Sequence, residues 1–361
     1  MDDLTLLRDL YDAPPPSREV ISGGAARLAA AYAQEAEPVR PVGRSRPARR
    51  SARARLSRWG AFGVGLLGAA AAMAVVIGGS GTPEPKPVLS ASQILLAAAD
   101  SVSTTPQDGK YWVRSGVNGR EQRDPTGAYT IRSDQSIEIW LPRAAGQKTW
   151  VIRQDLGAKP ATPKDEAAWR AAGSPASWTF PGTTPALTLK IGPGERDALR
   201  DASGKALTLL NTPMTPETLS RLPTTPEGLR GYLEKLVTKA YGAERVDMNA
   251  ELFETGSRLI MNLPTSPEVR AATYRMLAAL PGATAQGAAA DPLGRVGQAV
   301  SRPGGPGEEY RLVVDTATGQ PLALESSIGQ DRSFEAVKRA GWTDEEPDLP
   351  ARRTDMNRPT R

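Results

Sequence analysis

The chain has 361 residues, with 45 Lys+Arg against 40 Asp+Glu and neither histidine nor cysteine. The missing residue types exclude Ser-His-Asp and Cys-His catalysis, the usual zinc ligand sets, haem ligation by histidine, thiol redox chemistry and disulfides. The formal net charge of +5 invites a nucleic-acid reading until the charges are placed along the chain.

Residues 1–37 read as two short helices joined by a proline turn. Leu4, Leu7 and Leu10 form an apolar stripe on the first, with Asp2 and Asp3 at its favourable N-terminal end. Pro14, Pro15 and Pro16 stop it, and Leu28, Ala29 and Tyr32 recur at helical spacing in the second. A segment this short cannot bury a core of its own. It is either an amphipathic tail near a membrane or a docking element that folds on a cytoplasmic partner through its leucine stripe.

Residues 38–58 are rich in Pro, Arg and Ser and read as a disordered juxtamembrane linker. Eight arginines fall between Arg40 and Arg58 with no acid among them, and from Trp59 to Pro83 there is no charge. Residues 59–80 therefore read as a transmembrane helix, since about 20 residues at ~1.5 Å rise cross a hydrocarbon core of ~30 Å. Nearly 60 residues precede the apolar run, which favours an uncleaved signal-anchor over a cleaved signal peptide. Arg49, Arg50, Arg53, Arg55 and Arg58 flank the span on one side, so the positive-inside rule puts the N-terminus in the cytoplasm. The same arginines can hold anionic membrane lipid.

Of the chain totals, 11 basic and 7 acidic residues fall in residues 1–58, leaving 34 and 33 beyond the span. The excess charge thus belongs to the collar. Membrane anchoring accounts for it, and nucleic acid is not an expected partner.

Residues 81–89 are a Pro-rich spacer, and residues 90–342 read as an extracytoplasmic α+β domain. Ser90 and Gln93 form a capping box ahead of an Ala-rich helix. Tyr111–Val113, Tyr129–Ile131, Ser136–Leu141 and Thr149–Ile152 carry the β-branched and aromatic residues of strands, and Asp108-Gly109 and Asn118-Gly119 read as turns between them. Thr162, Thr215, Thr225 and Ser266 each precede a proline, which is a helix-start signal. Leu229, Tyr232, Leu233, Leu236, Val237 and Ala240 make one apolar face, and Val269, Ala272, Met276, Leu277 and Leu280 another. Tyr310–Asp315 and Pro321–Ser326 form a closing hairpin, with Leu312, Val314, Leu322 and Leu324 sharing a face. Residues 343–361 read as a disordered tail. The fold class expected is a transmembrane helix followed by an extracytoplasmic domain, a curved antiparallel sheet with helices packed on one face.

No P-loop, calcium loop or G-x-S-x-G elbow occurs. Glu138, Asp155, Glu217 and Glu309 are candidates for a glycosidase-like carboxylate pair, although any acid-rich chain offers such candidates. Trp112, Trp140 and Trp150 could line a cleft for sugars or acyl chains, or pack as sheet core. No catalytic residue, metal or cofactor is expected.

The opening Met1–Leu10, the arginine collar with its span, and the runs Ser266–Gly282, Gly294–Ser301 and Val313–Leu322 together resemble an uncharacterised family of actinobacterial membrane-anchored proteins. Members recur as neighbours of extracytoplasmic-function sigma factors. More distantly, the outer domain resembles half-barrel lipid-carrier and sigma-regulator sensor domains. That family has no established activity; together with the two-compartment topology and the leucine stripe, the resemblance points to a non-enzymatic protein that binds or senses an envelope ligand, with a cytoplasmic sigma factor or other regulator as partner. The alternative it leaves open is a tethered carrier of a lipid-like ligand. A more remote third is an anchored glycan-processing enzyme.

Overall fold

Beyond the spacer, long strands alternate with proline-started helices, and a computed structural model shows how they assemble. It describes residues 89–102, 108–144, 146–180, 186–201, 206–242 and 246–355. The leucine stripe (Leu4, Leu7, Leu10), the arginines Arg49, Arg50, Arg53, Arg55 and Arg58, and the apolar run 59–80 lie outside the described residues. Among those described, no helix is long and apolar enough to cross a membrane.

Helix α1 (Ala91–Ser101) begins at the expected capping box: Ser90 and Gln93 each bond the other's backbone N–H. Strands β1 (Tyr111–Arg123), β2 (Thr130–Pro142) and β3 (Thr149–Pro160) follow as a meander. Then come α2 (Pro163–Ala171), the hairpin β4 (Ser177–Phe180) and β5 (Leu187–Lys190), β6 (Arg196–Asp201), and the short pair β7 (Thr208–Leu209) and β8 (Thr212–Pro213). Four helices come next, α3 (Pro216–Ser220), α4 (Pro226–Tyr241), α5 (Met248–Asn262) and α6 (Pro267–Ala278). The chain closes with β9 (Thr284–Ala290), β10 (Val296–Pro303), β11 (Glu308–Asp315), β12 (Gln320–Ile328), β13 (Asp331–Thr343) and β14 (Arg352–Asp355).

Ten strands make one sheet in the order β14-β6-β3-β2-β1-β13-β12-β11-β10-β9. Every neighbouring pair is antiparallel except β14 with β6. The pairing of β1 with β13 joins the two meanders, one from each end of the domain. The class is therefore α+β with a large antiparallel-rich sheet, as the sequence implied.

One sheet face carries the main core. Trp112, Leu141, Leu312, Val314, Leu324 and Val337 point to it and meet Ile94 and Leu95 of α1, Leu229 and Leu233 of α4, Phe253 and Ile260 of α5, and Met276 and Leu277 of α6. Each large side chain so buried contributes on the order of 1.5–3 kcal/mol. The proline-started helices begin where expected, with Thr162, Thr215, Thr225 and Ser266 all accepting from a backbone N–H of the first turn. On α4 the buried stripe is narrower than predicted: Leu229, Leu233 and Val237 are buried, whereas Ala240 is exposed.

Three sequence expectations need correction. Asn118-Gly119 is no turn but lies inside β1, opposite Gln135 and Asp134. Glycine is required at 119 by close approach, because a Cβ there would overlap the Phe334 ring. The turn falls instead at Asp124, whose carboxylate accepts from Thr126 and Tyr129 N–H. Leu322 leaves the face of Leu312, Val314 and Leu324 and packs with Ala299 and Val313 on the opposite one. The cause is a bulge: Val313 pairs with Ala323 and Val314 with Pro321, so Leu322 is the extra residue. The tryptophans pack as sheet core rather than lining one cleft: Trp112 is buried against the helices, while Trp140 is buried on the outer face with Trp150 beside it. Finally, residues 343–355 are not a disordered tail, because they end in β14.

Candidate functional site

Helix α5 lies at the centre of the core, with nine of its fifteen residues buried. Its sequence carries no proline start; Asp247 caps it, accepting from Asn249 and Ala250 N–H. Besides its apolar face it bears Glu251, Glu254, Arg258 and Asn262, whose spacings of three, four and four put them on one side of the helix. That row faces charged and polar residues of the sheet. Arg258 bridges Glu254 at 3.0 Å and Glu335 of β13 at 2.5 Å, and Asn262 Nδ2 donates to Glu335 Oε2 at 2.8 Å.

A notch of about 180 Å³ opens beside this row, lined by Asn118, Gly119, Glu254, Arg258, Leu324, Ser326, Ser333, Phe334 and Glu335. The Ser326 and Ser333 hydroxyls share a hydrogen bond at 2.7 Å across β12 and β13. Arg114 of β1 lies behind the wall: it is 2% exposed, and its only ion contact among the described residues is Glu335 Oε2 at 4.0 Å. Its Nε meets no acceptor among those residues, and neither does the buried Oδ1 of Asn118 meet a donor. The guanidinium lies against Gly116, where a Cβ would come within 3.4 Å of Cζ. Burial pushes the Arg114 pKa down, and the Glu335 charge partly restores it. A buried guanidinium without a hydrogen-bonding acid departs from the rule that such groups are paired. It leaves a forked donor set suited to a carboxylate.

The row continues toward the N-terminus of α5, where a second cavity is lined by Asp247, Ala250, Glu251, Gly304, Gly305 and Glu308, among others. Burial, then the charges of Glu254, Glu308 and Asp247, raise the Glu251 pKa to about 7. Tyr310 donates its hydroxyl to Glu308 at 2.8 Å, and burial raises its pKa. Arg302 holds Asp247 at 3.3 Å. Glu251 is therefore a group that changes charge near neutral pH. Among the described residues no cluster of three or more acids is placed to hold a metal ion.

The carboxylates singled out from sequence sit on four separate elements. Glu138 on β2 takes Arg196 at 3.3 Å and the Trp140 indole N–H at 3.2 Å. Asp155 on β3 accepts from Gly157 N–H, and Glu217 stands in the first turn of α3. Glu309 on β11 borders an outer-face cavity with Arg311, Glu325 and Arg332. The notch residues Asn118, Arg258 and Glu335, and Arg114 behind them, escaped sequence reasoning. The signal available was the polar row through the otherwise apolar α5, together with an arginine between Val113 and Ser115 in a strand.

No protein-family model matches the chain, and no curated protein matches it. The resemblance to the actinobacterial family therefore rests on the quoted residues alone. Among solved structures, the crystal structure of LprF from Mycobacterium bovis is similar over 74% of this chain and 99% of its own, with 12% identity and a TM-score of 0.22. A likeness that slight carries no argument about fold or function.

Proposed function

We propose that the chain is a non-enzymatic, membrane-tethered binding protein. Its outer domain takes a small carboxylate-bearing ligand at the α5 notch, and its N-terminal segment reports to a cytoplasmic regulator such as a sigma factor. The observation that supports the binding half is Arg114, buried beside the notch with its Nε unmet and its nearest acid 4.0 Å away. A ligand carboxylate there supplies the acceptor that Arg114 lacks, and Asn118 lies within the same wall. Glu254 and Glu335 border the space as well, so a ligand that also carries an ammonium group is favoured over a polyanion.

The reporting half is supported by the uncharged run 59–80 with arginines on one flank only, and by the stripe Leu4, Leu7 and Leu10. A pull-down with residues 1–58 should recover a transcription regulator, and Leu7→Asp should abolish the capture. Recovery that is indifferent to Leu7→Asp, or no such regulator at all, refutes it. The lipid-carrier reading places its ligand between helices and sheet. The side chains of α4, α5 and α6 already pack there, so that reading requires α5 to lift off the sheet.

A further inference from the structure

After β13 ends at Thr343, the chain does not leave the sheet. Residues 344–351 cross to the far edge, where β14 pairs in parallel with β6. The strand order puts β1, β2, β3 and β6 between β13 and β14. Five strand spacings of ~4.8 Å amount to about 24 Å, and the nine steps from Thr343 to Arg352 reach at most ~32 Å. The segment is thus an extended strap, and Leu349 places it over the outer face.

Its attachments are mostly ionic. Lys110 donates its backbone N–H to Asp344 and pairs with Glu346 at 3.4 Å. Arg339 takes Glu345 at 2.5 Å, Arg196 takes Asp348 at 2.7 Å, and Arg200 holds Asp355 through two bonds of 2.6 and 3.0 Å. Beneath lies an aromatic cluster in which Tyr111 stacks edge-on to Trp140 at 5.9 Å, with Trp150 beside them. Leu349 is the strap's apolar contact with this cluster. Exposed ion pairs hold weakly and are screened by salt. The surface below carries Lys110, Arg196 and Arg200, with Glu138 shared between Arg196 and the Trp140 indole, beside a strand edge and aromatic faces.

We propose that the β6 edge and the Tyr111–Trp140–Trp150 cluster form a peptide-docking surface. The chain's own residues 344–355 occupy it in cis, and it takes an extended acidic peptide in trans when they lift. Strand addition supplies the backbone bonds, the aromatics seat an apolar side chain in the place of Leu349, and Lys110, Arg196 and Arg200 read the acids. The strap is the template for that partner, with Asp344, Glu345, Glu346 and Asp348 ahead of Leu349.

The test uses the full chain in detergent micelles and a labelled synthetic peptide of residues 344–355. In one protein Asp348→Arg and Asp355→Arg together set the strap against Arg196 and Arg200. Fluorescence anisotropy should show the peptide binding this variant at least about tenfold more tightly than the unaltered chain, where the tethered strap competes. The difference should shrink as salt rises. Equal binding by both proteins, or binding by neither, overturns the proposal. Hydrogen exchange on the unaltered chain decides independently of the variant's folding. The proposal predicts that amides of residues 196–201 and 352–355 exchange together, ahead of β1 and β2 and faster in high salt. Protection of both segments equal to that of β1 contradicts it.

Discussion

Glu251 begins the row of charges on α5 and Arg114 lies near its other end, and each carries a cost that the surrounding core does not relieve. Arg114 is enclosed with its Nε unmet, while Glu251 faces Glu254, Glu308 and Asp247, with Arg302 engaged on Asp247. For Glu251 the sign of the effect can be worked out. Its folded pKa of about 7 lies above the ordinary 4.5, so the folded state holds the proton more tightly than the unfolded chain. The stability this supplies is complete below about pH 4.5 and is lost as pH rises through about 7. Glu251→Gln should therefore match the unaltered protein near pH 5 and exceed it near pH 8, by about 1 kcal/mol once solvent screening of this half-buried group is allowed for. Urea unfolding at the two pH values measures it; a variant less stable at the higher pH contradicts the assignment. Neither residue was legible beforehand, because burial and pairing depend on which strands and helices meet, and composition carries no trace of that.

At the level of elements, the chain announces its helices well where a hydroxyl residue precedes proline. Thr162, Thr215, Thr225 and Ser266 mark their starts because capping and the fixed φ of proline are local effects. Helix α5 went unread: it starts on Asp247 without proline, and its polar row breaks the apolar period that marks a buried helix. Strand cores were legible but their lengths were not, since Asn118-Gly119 reads as a turn yet Gly119 sits in β1 for reasons of close approach. The β11–β12 hairpin shows a local signal and a distant contact acting together. Gly319 has φ +67° and donates its N–H to Asp315 O, as a turn requires, while its carbonyl accepts from Tyr274 of α6 at 3.1 Å. A Cβ there would stand 2.6 Å from Ala98 O at the end of α1. Gly319→Ala should cost about 3 kcal/mol, combining left-handed strain with displacement of α1. A denaturation midpoint within about 0.5 kcal/mol of the parent would show that α1 and the hairpin are not wedged together.

For the whole molecule, charge bookkeeping and the sheet lead to the same division of labour. The basic excess lies before the uncharged run, and the residues beyond it are nearly balanced, so the domain that follows is not built to attract a polyanion. Its helix-side core is continuous, which leaves the polar notch beside α5 as the place where a small ligand would meet an unmet group. The α+β class and the hairpin at 310–326 could be read from sequence. The notch and the strap could not, because they arise where β1 meets β13 and where the last residues return to β6.

Calorimetric titration of the full chain in micelles with acetate, L-glutamate and inorganic phosphate tests the binding claim most directly, with Arg114→Met measured in parallel. That substitution keeps Glu335 bonded to Arg258 and Asn262, and losing a buried unpaired charge should not unfold the domain. Glutamate should bind saturably with a Kd of about 1 mM or tighter, acetate more weakly and phosphate not at all, and the variant should bind none of the three. Glutamate binding that survives in Arg114→Met, or no saturable binding of either carboxylate to the unaltered protein up to about 10 mM, would contradict it.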